Sequence, residues 1–535
     1  MKKKLLPALI VTGLIILVVI IMGITALINK YTPTKKTEDL KEYFNISSDD
    51  EAALIVDNEL SDYKAKIIDK KIYVDYKFVH DSLNSRFYWD ANENVLLYTT
   101  ASDIISAAAD SNSYSVTKQT NDFGYPIVKA TSDSALIALD YVKQYSNITF
   151  KSYDDPARIV ITSKWDEIDS ATVSKSTQVR VKGGIKSPIL KEVKKDDKIT
   201  ILDSGDKWDK VATEDGVIGY IKSKALSESK KTKLTNPDYE EETFTHIKKD
   251  KDICLAWNQV TSQSANSKVP QVISSTKGIN VMSPTWFYLN DNNGNLADIA
   301  SKDYVSYCHS QGIEVWGLFS NFENTDVDAA YVLTHTSTRT TLINQIMSAA
   351  FNYELDGVNI DFENITEAAY GDSYIEFIRE LAIKCHNNGI SLSVDVTVPA
   401  SFNKFFNRSD MANFADYIVI MGYDEHYKGS DAGSVSSIPW VTEGVESTLK
   451  EVPADQIILG MPFYTRIWEL TPKEDDDAVT DTEDQSKYTV ASQVYSMDAA
   501  AAQLATNNAT AALDEESGQN YAEWSVSNKL YKVWL

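Results

Sequence analysis

Between residues 245 and 535, strand-like and helix-like runs alternate, and that alternation restricts the fold more than any other feature of the chain. The strand-like runs fall at 253–257, 279–285, 314–319, 357–363, 391–399, 417–423 and 457–463. Amphipathic stretches lie between them, such as "DSYIEFIRELAIKCHNNG", which a glycine stop closes at Gly389. Successive parallel strands need crossover helices, so seven βα-like repeats predict a TIM (β/α)8-type barrel. In such a barrel the functional residues gather at the C-terminal ends of the strands.

One run is peculiar. In "LDGVNIDFEN" (355–364), Val358, Ile360 and Phe362 form one row of alternate residues. Asn359, Asp361 and Glu363 form the opposite row. Burying two carboxylates side by side costs on the order of several kcal/mol unless a site compensates them. A chance stack of polar side chains in a lumen is the bland alternative; a catalytic row is the sharper one.

The stretch Asp356-Gly-Val-Asn-Ile-Asp-Phe-Glu363 resembles the signature of glycoside hydrolase family 18, Asp-Gly-x-(Asp/Asn)-x-Asp-x-Glu. "IVIMGYDEH" resembles the family's sixth-strand Met-x-Tyr-Asp pattern and supplies Tyr423 and Asp424. "ILGMPFYTRIW" resembles its seventh-strand Gly-x-Pro-x-Tyr pattern, with Tyr464 and, beyond it, Arg466. Trp257, Trp286 and Phe319 close other strands, either as sugar-stacking platforms or as packing. The resemblance covers residues 245–535 and is closest to bacterial wall- and spore-associated members acting on peptidoglycan.

This resemblance implies substrate-assisted hydrolysis of N-acetylglucosaminyl bonds in peptidoglycan or a chitin-like glycan. The sugar's own acetamido oxygen attacks its anomeric carbon, so the protein needs one acid. Glu363 would protonate the leaving oxygen and later activate water. Asp361 would hold the acetamido N–H and steady the developing positive charge. Tyr423 would orient the acetamido oxygen, and Asn359, Asp424, Tyr464, Arg466, Trp286 and Phe319 would bind substrate. Closeness of Asp361 and Glu363 is expected to raise the pKa of one of them and keep Glu363 protonated. Asn359 stands where many relatives carry a third Asp; its amide can donate to Asp361 but cannot share a proton with it. No metal or cofactor is called for. A non-catalytic surface protein using the same cleft to bind glycans is the competing function, and a scaffold whose small domains bind a partner is a third; an intact Glu363 favours the enzyme.

The family barrel closes with an eighth strand whose Trp floors the site. Only 72 residues follow Phe463, and they end in "NKLYKVWL". A Tyr-x-Val-Trp strand like 531–534 belongs, in relatives, to an insertion before the eighth strand. The expectation is a barrel lacking that strand; the rival is that 530–535 itself closes the barrel, with Trp534 as the floor.

Upstream, residues 5–28 are free of charge and long enough, at about 1.5 Å per residue, to cross a bilayer core of about 30 Å. With no small-x-small site after it, this segment reads as an uncleaved anchor more than as a signal peptide, holding a catalytic domain outside the cell. Lysines flank both ends, so charge bias does not fix its orientation. Residues 51–165 hold two similar strand–helix–strand–turn–strand passages, weakly similar to the stalk-like domain at the N-terminus of copper amine oxidases and implying no copper. Residues 172–226 carry short β-branched runs between Gly, Asp and Ser turns, which predicts a small β-barrel. Their order resembles a bacterial Src-homology-3-type domain, which implies a cell-wall peptide or glycan as ligand; Trp208 and Tyr220 are either contacts for it or core. The net charge of −25 argues against nucleic acid as a partner. Cys254, Cys308 and Cys385 form neither a disulfide framework nor a zinc site, and read as packed free thiols. The acidic stretch 473–485 reads as a solvated loop without the ordered spacing of a calcium site.

Overall fold

The computed structural model describes residues 2–365, 370–473 and 484–535, so most of the acidic stretch, 474–483, lies outside the described residues. The chain divides into two compact units. The first takes Met1–Trp89, Ala107–Tyr114 and Asn121–Glu241; the second takes Asp90–Ser106, Ser115–Thr120 and Glu242–Leu535.

In the first unit, α1 (Lys2–Tyr31) contains a window, Leu9–Tyr31, of mean hydropathy 2.9 with none of it buried. By length and composition this helix can cross a membrane. A seven-stranded sheet then runs in the order Thr149–Tyr153, Arg158–Thr162, Glu51–Val56, Glu59–Ile68, Lys71–Asp75, Ala135–Ala138, Val128–Ala130. A second seven-stranded sheet is built from 167–233, and its paired strands are antiparallel. Val179, Val211 and Ile221 form the centre of its apolar cluster, and Trp208 and Tyr220 are half-buried. The two passages of 51–165 do not build two copies of one motif. Lys71–Asp75 of the first joins the seven-stranded sheet, whereas Val95–Thr99 belongs to the second unit.

The second unit is an open (β/α)-type half-barrel. Its parallel strands are β1 (Leu255–Asn258), β2 (Val281–Leu289), β3 (Glu314–Ser320), β4 (Gly357–Asp361), β5 (Ser391–Thr397), β6 (Tyr417–Met421) and β7 (Ile457–Gly460), paired in that order. All seven strand-like runs of the sequence are there. The helices α2 (Lys302–Ser310), α3 (Thr336–Tyr353) and α4 (Gly371–His386) follow β2, β3 and β4 and pack their apolar faces on the outer rows of the strands. Burial of the outer row is complete at Val358, Ile360, Leu392 and Val394.

The lumen fills in layers. At its base Trp316 stacks on Tyr417, with ring centroids 5.6 Å apart, beside Val281. Gly357 lies level with Trp316 across the β3–β4 ladder, and a Cβ there would come within 2.6 Å of the indole. The glycine of the Asp-Gly pair is therefore a packing requirement. Asp356, before it, accepts from His309 Nε2 and from the Val315 N–H, both at 2.8 Å, and anchors the start of the strand.

β1 and β7 are the two ends of the strand order, and the chain's last strand does not lie between them. β8 (Tyr464–Pro472), β9 (Tyr488–Ser496), β10 (Ala512–Asp514), β11 (Gln519–Val526) and β12 (Lys529–Trp534) form a separate five-stranded antiparallel sheet in the order β9-β8-β12-β11-β10. The alternative in which 530–535 closes the barrel is thus wrong: Ile467 pairs with Val533 and Ala522 with the same residue from the other side. Cys308 and Cys385 are packed thiols, whereas Cys254 is exposed, because it precedes the first paired residue of β1.

Asp90–Ser106 docks on the helices of this unit. Asp90 accepts from the backbone N–H of Thr336 at 2.7 Å, and Glu93 from that of Ser337 at 3.0 Å. They cap α3, whose own N-cap residue, His335, makes no capping bond. Thr99 Oγ1 donates to Glu376 at 2.8 Å, and this fully buried carboxylate is also paired with Arg379 at 3.0 Å.

Candidate active site

Strand register decides which side chains reach the lumen. Leu318 lies level with Asn359 and Ser320 with Asp361, while Phe319 lies level with Ile360 in the outer row. On the other flank Asn359 lies level with Ser393, so Asp395, two residues on, also faces inward. Trp257 and Ser283 are level with each other on β1 and β2.

Asn359 is wholly buried and is the hub of this layer. Its Oδ1 accepts from Trp257 Nε1 at 3.0 Å and from Ser283 Oγ at 2.9 Å. Its Nδ2 donates to Asp395 Oδ1 at 2.7 Å. An indole N–H can only donate, which fixes the orientation of the amide. The sequence reading had this amide donating to Asp361; the structure gives its proton to Asp395 instead. Trp257 also reaches the seventh strand, since a Cβ on Gly460 would lie 2.7 Å from its ring. A residue with any side chain at 460 would displace the indole from Asn359.

Asp361 ends β4, and its buried Oδ1 has no hydrogen-bond partner among the described residues. Burial, and then the charges of Asp395, Glu363 and Glu323, hold its pKa well above the usual carboxylate range. Asp395 is pushed up in the same way, chiefly by burial, although hydrogen bonds from Asn359 and Trp257 restrain the rise. Each carboxyl thus favours its neutral form over the charged one.

Glu363 does not end the strand. It lies two residues beyond the last ladder residue, exposed at the rim. The protein around it still raises its pKa, by burial first and then by the charges of Asp424 and Glu323. Asp361, the neighbour expected to do this, is not among the causes. The loop is held in place by Asn321, whose Oδ1 accepts from the Asn364 N–H at 3.2 Å. Ser320 donates to Glu323 at 2.6 Å and so keeps that carboxylate near the rim.

Tyr423 is half-buried between Trp257 and Tyr464, edge-on to both at 6.2 and 6.1 Å. Burial and the charges of Asp395, Asp361 and Glu363 raise its pKa, so its hydroxyl stays protonated. Asp424 has a left-handed backbone (φ 60°) and pairs with Arg466 Nη2 at 3.2 Å. A hydrogen bond also joins Tyr464 to Asp424, and together with burial it raises the tyrosine's pKa. Beside Glu363 and Asp395 lies an apolar cavity of about 190 Å³, lined by Ile365, Phe402, Phe405, Phe406 and Met421.

Two expected platforms are not in this group. Trp286 is fully buried in the helix layer, donating to Asn266 Oδ1 at 2.8 Å and packing edge-on to Tyr304. Phe319 is fully buried and stacks on Phe287 at 4.5 Å. Both belong to the outer row, which excludes them from contact with a ligand in the lumen. Asp395, Ser283, Glu323 and Asn321 were missed by sequence reasoning. For Asp395 a signal existed: it shares parity with Ser391 and Ser393 in an otherwise apolar strand.

Residues 309–534 match the profile of the glycosyl hydrolases family 18. An uncharacterized glycosylase, YvbX, of Bacillus subtilis is 25% identical over 194 residues, which cover 34% of this chain and 55% of the relative. The cortical fragment-lytic enzyme of the same organism is 23% identical over 253 residues, 45% of this chain and 56% of that protein. The chain thus spans about half the length of these curated relatives. A chitinase structure from Chromobacterium violaceum is similar at a TM-score of 0.45 and 19% identity, over 53% of this chain and 85% of that one. The C-terminal part of the chain is thus similar to the glycosyl hydrolases of family 18, with chitinases and glycosylases among its relatives.

Proposed function

We propose that the chain is a membrane-anchored, extracellular hydrolase of N-acetylglucosaminyl bonds, acting by a substrate-assisted retaining mechanism. The observation that carries this reading is that Glu363, raised in pKa at the rim, follows two residues after Asp361, whose buried Oδ1 has no hydrogen-bond partner among the described residues. In the first step the substrate's acetamido oxygen attacks its anomeric carbon as the glycosidic bond breaks. Glu363 gives its proton to the leaving oxygen, and Asp361 accepts the acetamido N–H and steadies the positive charge of the ring formed. Tyr423 donates to the acetamido oxygen. In the second step water adds at the anomeric carbon, Glu363 takes its proton, and the ring opens with retained configuration.

Asp395 acts through Asp361, whose pKa its charge helps to raise. Asp424, Tyr464 and Arg466 form a hydrogen-bonded set at the rim suited to sugar hydroxyls. Peptidoglycan is the favoured substrate over chitin, because one relative is described as a cortical fragment-lytic enzyme. The apolar helix α1 would anchor the chain. Residues 172–226 fit a small Src-homology-3-type β-barrel that binds wall peptide or glycan. Digesting purified peptidoglycan and a chitin oligomer in parallel, with mass spectrometry of the new reducing ends, tests the reading. N-acetylglucosamine reducing ends support it, and an absence of products from both substrates refutes it.

A further inference from the structure

The five-stranded sheet beside the barrel has two unlike faces. Trp468 and Leu470 of β8 pack on one side with Tyr488, Leu530 and Ala432. Ile467 and Val533, on the other, are covered by Ala500 and Leu504 of the helix Met497–Thr506. That helix is only ten residues long, about 15 Å, and leaves part of the second face uncovered. There an open groove of about 480 Å³ is lined by Glu469, Trp524 and Tyr531 from the sheet and by Gln493, Gln503 and Asn507 around it.

Trp524 and Tyr531 are directly opposed across the β11–β12 ladder, their rings 5.4 Å apart and inclined by 9°. Glu469 is neutralised: it accepts from Lys529 Nζ at 2.5 Å and from the Tyr531 hydroxyl at 2.8 Å. The groove therefore carries no net charge in a chain of net charge −25. Its amides are underused. Among the described residues the Gln503 side chain makes no hydrogen bond, Gln493 only accepts from Tyr495 at 3.2 Å, and Asn507 only donates to the Gln503 backbone at 2.9 Å. The outer face of this stacked aromatic pair, bordered by amides that keep unused donors and acceptors, suits a pyranose, whose C–H face stacks while its hydroxyl and acetamido groups hydrogen-bond. A purely apolar ligand would strip water from those amides without replacing it.

We propose that this groove is a second glycan-binding site, distinct from the Glu363 centre, which holds a stretch of uncharged N-acetylhexosamine chain. The identity of the sugar rests on the proposed function; binding itself does not require catalysis. Held here, a polymer is retained between cleavage events at the barrel.

The test is calorimetric titration of the full chain carrying Glu363→Gln with a soluble N-acetylglucosamine hexamer. Trp524→Ala in that background is expected to remove one class of site, weakening it at least about tenfold. In an otherwise unaltered chain Trp524→Ala is expected to slow turnover of insoluble polymer several-fold while leaving that of a short soluble substrate unchanged. Should Trp524→Ala alter the thermal melt, the double variant Gln493→Ala, Gln503→Ala carries the same expectation. An isotherm unchanged by both variants overturns the site. Absence of turnover by the unaltered chain would defeat the catalytic reading and leave this titration intact.

Discussion

Asn359 accepts a hydrogen bond from Trp257 and donates one to Asp395, so a single buried amide ties the first, fourth and fifth strands together below Glu363. An ionised aspartate in its place could accept from Trp257 but could not donate to Asp395. Asn359→Leu removes its three side-chain hydrogen bonds and leaves the Ser283 hydroxyl and the Asp395 carboxyl short of a partner. Each unsatisfied buried group costs about 1–3 kcal/mol, so urea unfolding should show a loss of roughly 2–4 kcal/mol. A variant as stable as the parent would mean that the amide network contributes nothing.

Glu363→Gln should fold normally, since the side chain lies at the rim and the change is nearly isosteric. Turnover of an N-acetylglucosamine oligomer should fall by roughly 10²–10⁴-fold, the contribution of a positioned general acid. Wild-type turnover would remove the proposed mechanism.

Fully deacetylated oligomers should be inert where acetylated ones are cut, because the nucleophile leaves with the acetyl group. Comparing initial rates on the two by reducing-end assay decides the point. Equal rates would call for a second protein carboxylate, and Asp424 would be examined first.

Stability should fall as pH rises through the neutral range. Burial pushes the Asp395 pKa up to about 8, whereas in the unfolded chain an aspartate titrates at about 4. The fold therefore binds a proton that the unfolded chain has lost. The resulting stabilisation is complete below about pH 4, declines as pH rises, and is gone above about 8. Thermal melts from pH 5 to 9 should show the decline, and Asp395→Asn, which stays neutral, should flatten it. An equal slope in both proteins would be the contrary result.

The half-barrel was legible because short, largely apolar strand-like runs recur with amphipathic stretches between them. Strand ends were less so. The runs ending at 363, 399, 423 and 463 stop in the structure at Asp361, Thr397, Met421 and Gly460. Motif residues beyond those points, Glu363 and Tyr423 among them, keep a strand-like pattern while their backbones leave the ladder. Trp286 and Phe319 were misjudged for another reason: nearness to a strand end does not fix the side, and parity does. Phe319 is level with Ile360, a core residue, and that alone places it outside the lumen. The hydrogen bond from Asn359 to Asp395 joins residues 36 positions apart, and only the parallel register makes them neighbours.

Asp90 and Glu93 cap a helix that begins well over two hundred positions later, and Thr99 satisfies a buried carboxylate 277 positions away. A piece excised at residue 242 would begin with α3 uncapped and with Glu376 short of a donor. A nick in the intervening chain, by contrast, would cut the covalent path and leave these contacts in place, so the two fragments should travel together through a sizing column. The smallest autonomous form of this unit is therefore set by which segments touch, and any single stretch that encloses it also carries segments of the other unit.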